Sequence, residues 1–278
     1  MGRFWSLLFL TVPILGVAAF VFAIAGIGPF YGHWLPENIN EHGRVIDQLF
    51  IFIMYLTGVI FIGTGIALFV FLWKYDANVN TERVKYTHGS HVLEVVWSII
   101  PAATLLFIAI FQMNAWANQK MRQPRLPGPD MKAGTKDDVV KPPLCEVTGR
   151  QFEWRIRYAG PDEKLGTADD LFVVNDLHVP VDEEIVVAIK SMDVLHSFFL
   201  PQLRVKQDVV PGMKQFVWFQ PNKQGVYDIV CAELCGWGHY KMRGRCTIES
   251  RTKFDQWYAA QFAEQERTDF KKPAPPAE

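Results

Sequence analysis

The stretch VIDQLFIFIMYLTGVIFIGTGIALFVFLW, from Val45 to Trp73, carries no charged residue after Asp47. A helix needs about 20 apolar residues to cross the hydrocarbon core of a bilayer, so this run is long enough to span one. A second run, Val92 to Trp116, holds one ionisable residue, Glu94 near its start, and Pro101. Membrane helices accommodate such a proline where neighbouring groups satisfy the freed backbone. Two runs separated by a short polar loop predict a transmembrane helical hairpin over residues 45–116 rather than two buried core helices.

The loop between the runs carries Lys74, Arg83 and Lys85, together with Asp76 and Glu82. Orientation follows the basic residues and is little affected by acids, so the loop belongs on the cytoplasmic side. Everything after Trp116 then lies on the periplasmic or equivalent outer side, because no later apolar run brings the chain back. The first apolar run, Phe4 to Phe30, follows Arg3 and includes Ala23-Ile24-Ala25. Residues 1–30 therefore read either as a secretory signal peptide or as an uncleaved third membrane helix; a signal core is about 7–15 apolar residues, which is shorter than this run.

The composition agrees with a membrane-anchored chain. Of 278 residues half are hydrophobic, and 28 basic residues against 29 acidic give a net charge of −1, so neither a nucleic-acid binder nor an acidic tail is expected. No internal repeat is read. Residues 117–143 form a linker, since Gln123 to Pro143 is rich in Pro, Gly, Lys and Asp. From Leu144 the chain gives short β-branched or alternating runs: CEVTGRQFEWRIRY, LFVVNDLHVP, EEIVVAIKS, HSFFLP, QLRVKQDVV, QFVWFQP, GVYDIVC and GRCTIES. Many short strands predict an all-β sandwich or barrel over residues 144–253. Phe254 to Glu266 reads as a helix, and residues 254–278 end in KKPAPPAE, a composition that cannot bury apolar surface and is expected to be disordered.

Within the last third, Cys231 and Cys235 lie four residues apart, His239 four further on and Met242 three beyond that. Gly236 and Gly238 allow the backbone to fold tightly between them. Thiolate, thioether and imidazole ligands select copper or zinc. The methionine favours copper, because zinc cages seldom include a thioether, whereas a weak axial Met recurs in copper electron-transfer sites. A second imidazole has to come from elsewhere. His196, at the start of an apolar strand in DVLHSF, is placed for it if the sandwich supplies one ligand from an early strand and the rest from a late loop; His178 is the competing donor. A disulfide between Cys231 and Cys235 suits an outer compartment but gives His239 and Met242 no part. Cys145 and Cys246, on predicted strands, are either paired with each other or buried thiols.

In these residues the chain resembles subunit II of the haem-copper cytochrome c oxidases. The resemblance rests on the hairpin, C-x-E-x-C-x3-H-x2-M, D-V-L-H at Asp193 to His196, L-R-V-K-Q-D-x-V-P-G from Leu203 to Gly212, V-T-G-R-Q before Phe152, and E-x-x-W-x-x-x-P from Glu94 to Pro101. It implies a cupredoxin-like Greek-key β-sandwich holding a dinuclear CuA centre, with Cys231 and Cys235 bridging and His196 and His239 capping one copper each. Met242 completes one copper and the Glu233 carbonyl the other, leaving the Glu233 carboxylate for a Mg ion shared with subunit I. It further implies subunits I and III as partners, haem in the partner only, and cytochrome c as the donor. The cell inner membrane follows as the location, and oxygen reduction with proton translocation belongs to the assembled enzyme.

By the same resemblance Glu94 lies at the entrance of a proton path, and Asp193 matches a docking acid that Asp162, Glu163, Asp169, Asp170 and Asp182 to Glu184 could join. The family's tryptophan in G-x-Q-W is Phe152 here, with Trp154 two residues on, so electrons are expected to come in by way of these rings. No C-x-x-C-H occurs, so the donor is a separate protein. Alternatives are a membrane-anchored copper chaperone for oxidase assembly, a quinol oxidase subunit II and the CuA domain of nitrous oxide reductase. Glu233, Met242 and the β-rich pattern argue against the first, the retained ligands against the second, and the hairpin without propeller repeats against the third.

Overall fold

The computed structural model describes residues 2–32, 34–83, 86 and 88–267. Lys85 and the expected disordered tail from residue 268 onward lie outside the described residues. The chain divides into two compact units, one of residues 1–36 and 47–113, the other of residues 37–46 and 114–278.

The first unit is helical. α1 (Gly2–Ala25), α2 (Gly43–Lys74) and α3 (His91–Trp116) are each long and apolar enough to cross a membrane. Their phenylalanine, leucine, isoleucine and valine side chains are largely exposed. Helices apolar on every face and covered by so little protein are stable where lipid covers them. α1 and α2 approach closely at Gly65, where an added Cβ would meet Pro13 Cγ at 2.5 Å and the Phe9 carbonyl oxygen at 3.0 Å. Membrane helices pack through small residues in this way. The Arg3 guanidinium lies 4.7 Å from the centre of the Trp73 ring, and the Arg3 backbone N–H donates to Asp76 at 3.2 Å. The start of α1 and the end of α2 therefore share one end of the unit. Glu94 stands in the first turn of α3, exposed and 3.3 Å from His91 Nδ1.

The second unit is built from β1 (Arg125–Leu126), β2 (Val139–Val140), β3 (Cys145–Arg150), β4 (Glu153–Tyr158), β5 (Leu171–Val174) and β6 (Asp176–Pro180). It continues with β7 (Ile185–Ser191), β8 (His196–Leu200), β9 (Val205–Val209), β10 (Gln215–Phe219), β11 (Gly225–Cys231) and β12 (Arg243–Glu249), then α4 (Arg251–Arg267). Two five-stranded sheets result, in the orders β10-β7-β3-β4-β5 and β6-β12-β11-β8-β9. β3 runs parallel to β7 and β6 parallel to β12, while the other pairs are antiparallel. Alternation sets the inner faces: Trp154, Ile156 and Tyr158 of β4 and Gly244, Cys246 and Ile248 of β12 point inward, while Arg155, Arg157, Arg243 and Arg245 point out.

Three features depart from expectation. The run LFVVNDLHVP is not one strand, because Asn175 takes a positive φ of 57° and sends β5 and β6 into different sheets. Asparagine tolerates this conformation better than most residues, and its side chain accepts the Trp154 backbone N–H at 2.7 Å. The linker is not featureless, since β1 and β2 pair within it. An internal repeat does exist: G-P-D-x-K-x-G-T-x-D-D occurs at residues 128–138 and again at 160–170. Both copies fold alike. Thr135 bonds Asp130, Asp137 and Asp138 just as Thr167 bonds Asp162, Asp169 and Asp170. The repeat escapes a reading by hydrophobic pattern because every shared position is polar, Gly or Pro.

α4 docks through Phe254, Trp257 and Tyr258, whose rings surround Tyr158 at 6.2, 5.4 and 6.4 Å. His178 stacks on Trp257 at 3.8 Å and lies between Glu249, at 2.8 Å, and Asp176, at 3.5 Å. Burial pushes its pKa down, but the two carboxylates outweigh burial and raise it above the ordinary histidine value. A raised folded-state pKa stabilises at pH below the unfolded-state value near 6.5, and the gain is lost as pH rises through the folded value. His178→Gln should therefore lower the unfolding temperature more at pH 6 than at pH 9. Equal losses at both values would sink the idea.

Candidate metal centre

Three connections meet at one end of the sandwich: the β3–β4 turn, the β7–β8 connection and the β11–β12 loop. β8 pairs with β11 so that Phe198 faces Cys231, and the Ala232 N–H donates to the Ser197 carbonyl at 3.0 Å. This register brings His196, the first residue of β8, beside Cys231, the last of β11. The loop after Cys231 then folds back, with a short 3-10 turn at His239–Lys241, and delivers Met242 to the start of β12.

His196 and both cysteines offer ligand atoms lying within 4.8 Å of one another. The two sulfurs are 3.8 Å apart, well beyond the roughly 2.05 Å of a disulfide. His196 Nδ1 lies 3.9 Å from the Cys231 sulfur, and the Glu233 carbonyl 3.3 Å from the same atom. On the other side, His239 Nδ1 and the Met242 sulfur lie 3.6 and 3.7 Å from the Cys235 sulfur. The donors thus form a sulfur pair flanked on each side by one imidazole and one weaker donor. Burial raises the Cys231 thiol, but hydrogen bonding to His196 and neighbouring backbone outweighs it and brings the thiol down; Cys235 goes up through burial and the adjacent Cys231 sulfur. Two adjacent buried thiols with two imidazoles and a thioether around them are a donor set of the kind that soft metals select.

The surroundings orient these ligands. His196 is fully buried, and its Nε2 hydrogen-bonds Asp193 at 2.8 Å, which leaves Nδ1 facing the sulfurs. The Asp193 carboxylate also accepts the N–H groups of Gln151, at 2.7 Å, and Val194, at 2.6 Å. A carboxylate behind a ligating histidine fixes its tautomer and ring orientation. Asp193→Ala should therefore weaken copper retention by about 10- to 100-fold, measured by chelator competition. Unchanged retention would show that the bond to His196 does not matter.

Gly149 is required here, since a Cβ would meet the His196 ring at 3.0 Å. Gln151 joins the connections further, its side-chain amide donating to the Cys235 carbonyl at 2.5 Å. The motif V-T-G-R-Q thus has two structural roles that its spacing does not reveal: Gly149 makes room for His196 and Gln151 ties the loop.

The other predicted residues fall in different places. Trp154 is fully buried, edge-on to Phe198 at 5.4 Å and His196 at 6.0 Å, so it cannot touch a docked protein. Phe152 is partly buried and lies against Gly236 and Gly238. Asp193 is exposed and is hydrogen-bonded to His196 and to the backbone of Gln151 and Val194. The acids expected to join it are at the opposite end of the sandwich: β4 alone carries the chain about 17 Å from Glu153 to Tyr158, before the loop of Asp162, Glu163, Asp169 and Asp170 begins. Asp170 is fully buried against Arg157, and Glu183 pairs with Arg251 of α4. His178 serves α4, which leaves His196 as the histidine brought to the sulfurs beside His239. Cys145 and Cys246 are free and fully buried, and burial pushes Cys246 up to about 12.

Family comparisons agree with this architecture. The family model described as the transmembrane domain of cytochrome c oxidase subunit II matches residues 40–115, and that described as the periplasmic domain matches residues 148–248. Cytochrome c oxidase subunit 2 of Alkalihalophilus pseudofirmus is 28% identical over 268 residues, covering 95% of this chain and 70% of the relative. The alternative cytochrome c oxidase subunit 2 of Bradyrhizobium diazoefficiens is 41% identical over 87 residues, 31% of each chain. The crystal structure of the periplasmic domain of subunit II from Bradyrhizobium japonicum is 27% identical, covering 43% of this chain and 93% of that one, with a TM-score of 0.39. With both of the family's domains matched in order along the chain, this protein belongs to the cytochrome c oxidase subunit II family.

Proposed function

We propose that this copper-binding subunit receives electrons from a cytochrome c at a dinuclear CuA centre and passes them to a haem of subunit I. Cys231, Cys235, His196, His239, Met242 and the Glu233 carbonyl would hold the copper, the two cysteines as the donors shared between both ions. When bound, the copper pair supplies one-electron redox chemistry. The observation that carries the reading is the symmetric donor arrangement about two sulfurs 3.8 Å apart. That arrangement suits two thiolate-bridged metals better than one four-coordinate zinc.

The protein residues hold this centre rigid and dry. Buried His196, Cys231, Cys235 and Met242 exclude water, while Asp193 and Gln151 lock the loops. The half-buried Glu233 carboxylate is assigned to a Mg ion shared with subunit I, and exposed Glu94 to the entrance of a proton path. Subunit III is a further expected partner. The membrane is assigned as the cell inner membrane, with the sandwich on its periplasmic side. Residues 1–30 are assigned as a retained third membrane helix, supported by the α1–α2 approach at Gly65 and by Arg3 sharing an end with Lys74, the basic end expected to face the cytoplasm. The copper-chaperone reading is not favoured, since its cysteines belong at a strand-to-helix junction whereas these lie at the end of a sandwich strand.

Metal analysis and EPR of the purified oxidase containing this chain test the reading. Two coppers in this subunit with a seven-line hyperfine pattern are expected. A single blue copper, or zinc, would overturn it.

A further inference from the structure

The family position for an exposed tryptophan is Phe152 here, and Trp154 is buried. Beside Phe152, however, Trp237 stands on the metal loop between Gly236 and Gly238 and is 80% exposed. Its indole meets the Phe152 ring edge to face at 5.1 Å. We propose that Trp237 is the electron-inlet residue of this subunit, the aromatic surface on which a soluble one-electron donor with an exposed haem edge docks. This inference rests on the proposed copper centre beneath the loop.

The loop geometry supports the assignment. Gly236 has a φ of 133° and packs against Phe152, and a Cβ at Gly238 would come within 2.5 Å of the same ring. The two glycines let the backbone lie flat over Phe152, so the intervening side chain is turned outward. Trp237 follows Cys235 by two residues and precedes His239 by two, which gives a short covalent route to both ligands.

Leu234 and Tyr240 of the same loop are also exposed, 76% and 73%. Natural surfaces seldom present three large apolar side chains on one ligand loop unless something covers them. Tryptophan and tyrosine are also the residue types that anchor protein contacts.

Charge at this end points to how the donor is held. Glu153 pairs with Arg150 and Arg155, and Asp228 with Arg243, while Asp193 keeps its charge, because the His196 ring bonded to it is positive only when protonated. Lys241 lies over the Tyr240 ring at 5.4 Å. The exposed side chains of the loop, Leu234, Trp237 and Tyr240, are thus large and apolar or aromatic beside Lys241, with Glu233 half-buried, and donor binding depends mainly on ring packing. In the step itself one electron leaves the ferrous donor haem and reduces the dinuclear centre by one electron, with no bond made or broken.

The test uses the purified oxidase, with a reduced soluble c-type cytochrome as the probe. Trp237→Ala is expected to slow electron transfer from the cytochrome, and to weaken equilibrium binding of its oxidised form, by at least about tenfold each. Trp237→Phe should recover much of both. The copper EPR signal and reduction by a small inorganic reductant should stay normal, which separates this inference from failure of the copper assignment. The wild-type rate should change less than about threefold between about 20 and 200 mM salt. Normal cytochrome kinetics in Trp237→Ala, a steep salt dependence, or loss of assembly with subunit I in both variants would overturn the proposal.

Discussion

Cys235→Ser should leave the chain folded in the membrane but without its two-copper signal. The Cys235 sulfur lies 3.6 Å from His239 Nδ1, 3.7 Å from the Met242 sulfur and 3.8 Å from the Cys231 sulfur. A serine hydroxyl is a hard, weakly acidic donor that does not replace a bridging thiolate. Copper content in this subunit should fall to one or none, and oxidation of reduced cytochrome c should fall more than about 100-fold, the upper end for losing a mere outer partner of a ligand. The apo sandwich should change little in stability, because the residue sits on a loop rather than within a strand. Two coppers and a normal signal in Cys235→Ser would refute the bridging role.

The second large effect is expected on stability. Trp154 is fully buried on β4, packs edge-on against Phe198 and His196, and leaves its indole nitrogen without a hydrogen-bond partner among the described residues. Trp154→Ala should cost about 3–5 kcal/mol, since truncating a large buried ring removes its transfer energy and leaves a cavity. The cavity would border His196, so copper retention should fall with it. Trp154→Phe should cost clearly less, because it keeps an aromatic ring and removes an N–H that makes no bond. Denaturant unfolding of the two variants decides the matter; equal losses would mean that the indole N–H, rather than ring volume, carries the effect.

Both predictions concern residues that were visible in the sequence, but in different ways. Cys235 announces itself, because soft ligands at short spacing have few other uses. Trp154 was visible only as an aromatic two residues past the motif position, and was expected at the surface with Phe152. Alternation along β4 decides otherwise: Trp154 shares the inward face with Ile156 and Tyr158, and Phe152 lies in the preceding turn. The β-runs from Leu144 onward marked nearly every strand of the sandwich. The break at Asn175 was missed because a single residue in the left-handed region reroutes the chain without changing its hydropathy.

The acids show the same limit. Asp193, Asp162 and Asp182 look alike as exposed-loop carboxylates, yet Asp193 holds His196 while the other two lie at the far end of the domain. Sequence spacing does not report which end of a sandwich a connection occupies; strand count and direction do.

By itself the sequence determined the membrane-crossing runs, the β-rich outer domain and a soft-ligand loop suited to copper, since hydrophobic length, strand alternation and donor chemistry are local properties. Tertiary structure decided what depends on distant partners. The pairing of β8 with β11 brings His196 to Cys231, Gly149 makes room for its ring, Asp193 turns it, and the β3–β4 turn sets Phe152 beneath an exposed Trp237. Each of these is a contact between residues far apart in the chain, fixed by sheet register and side-chain volume, which no short stretch of sequence contains.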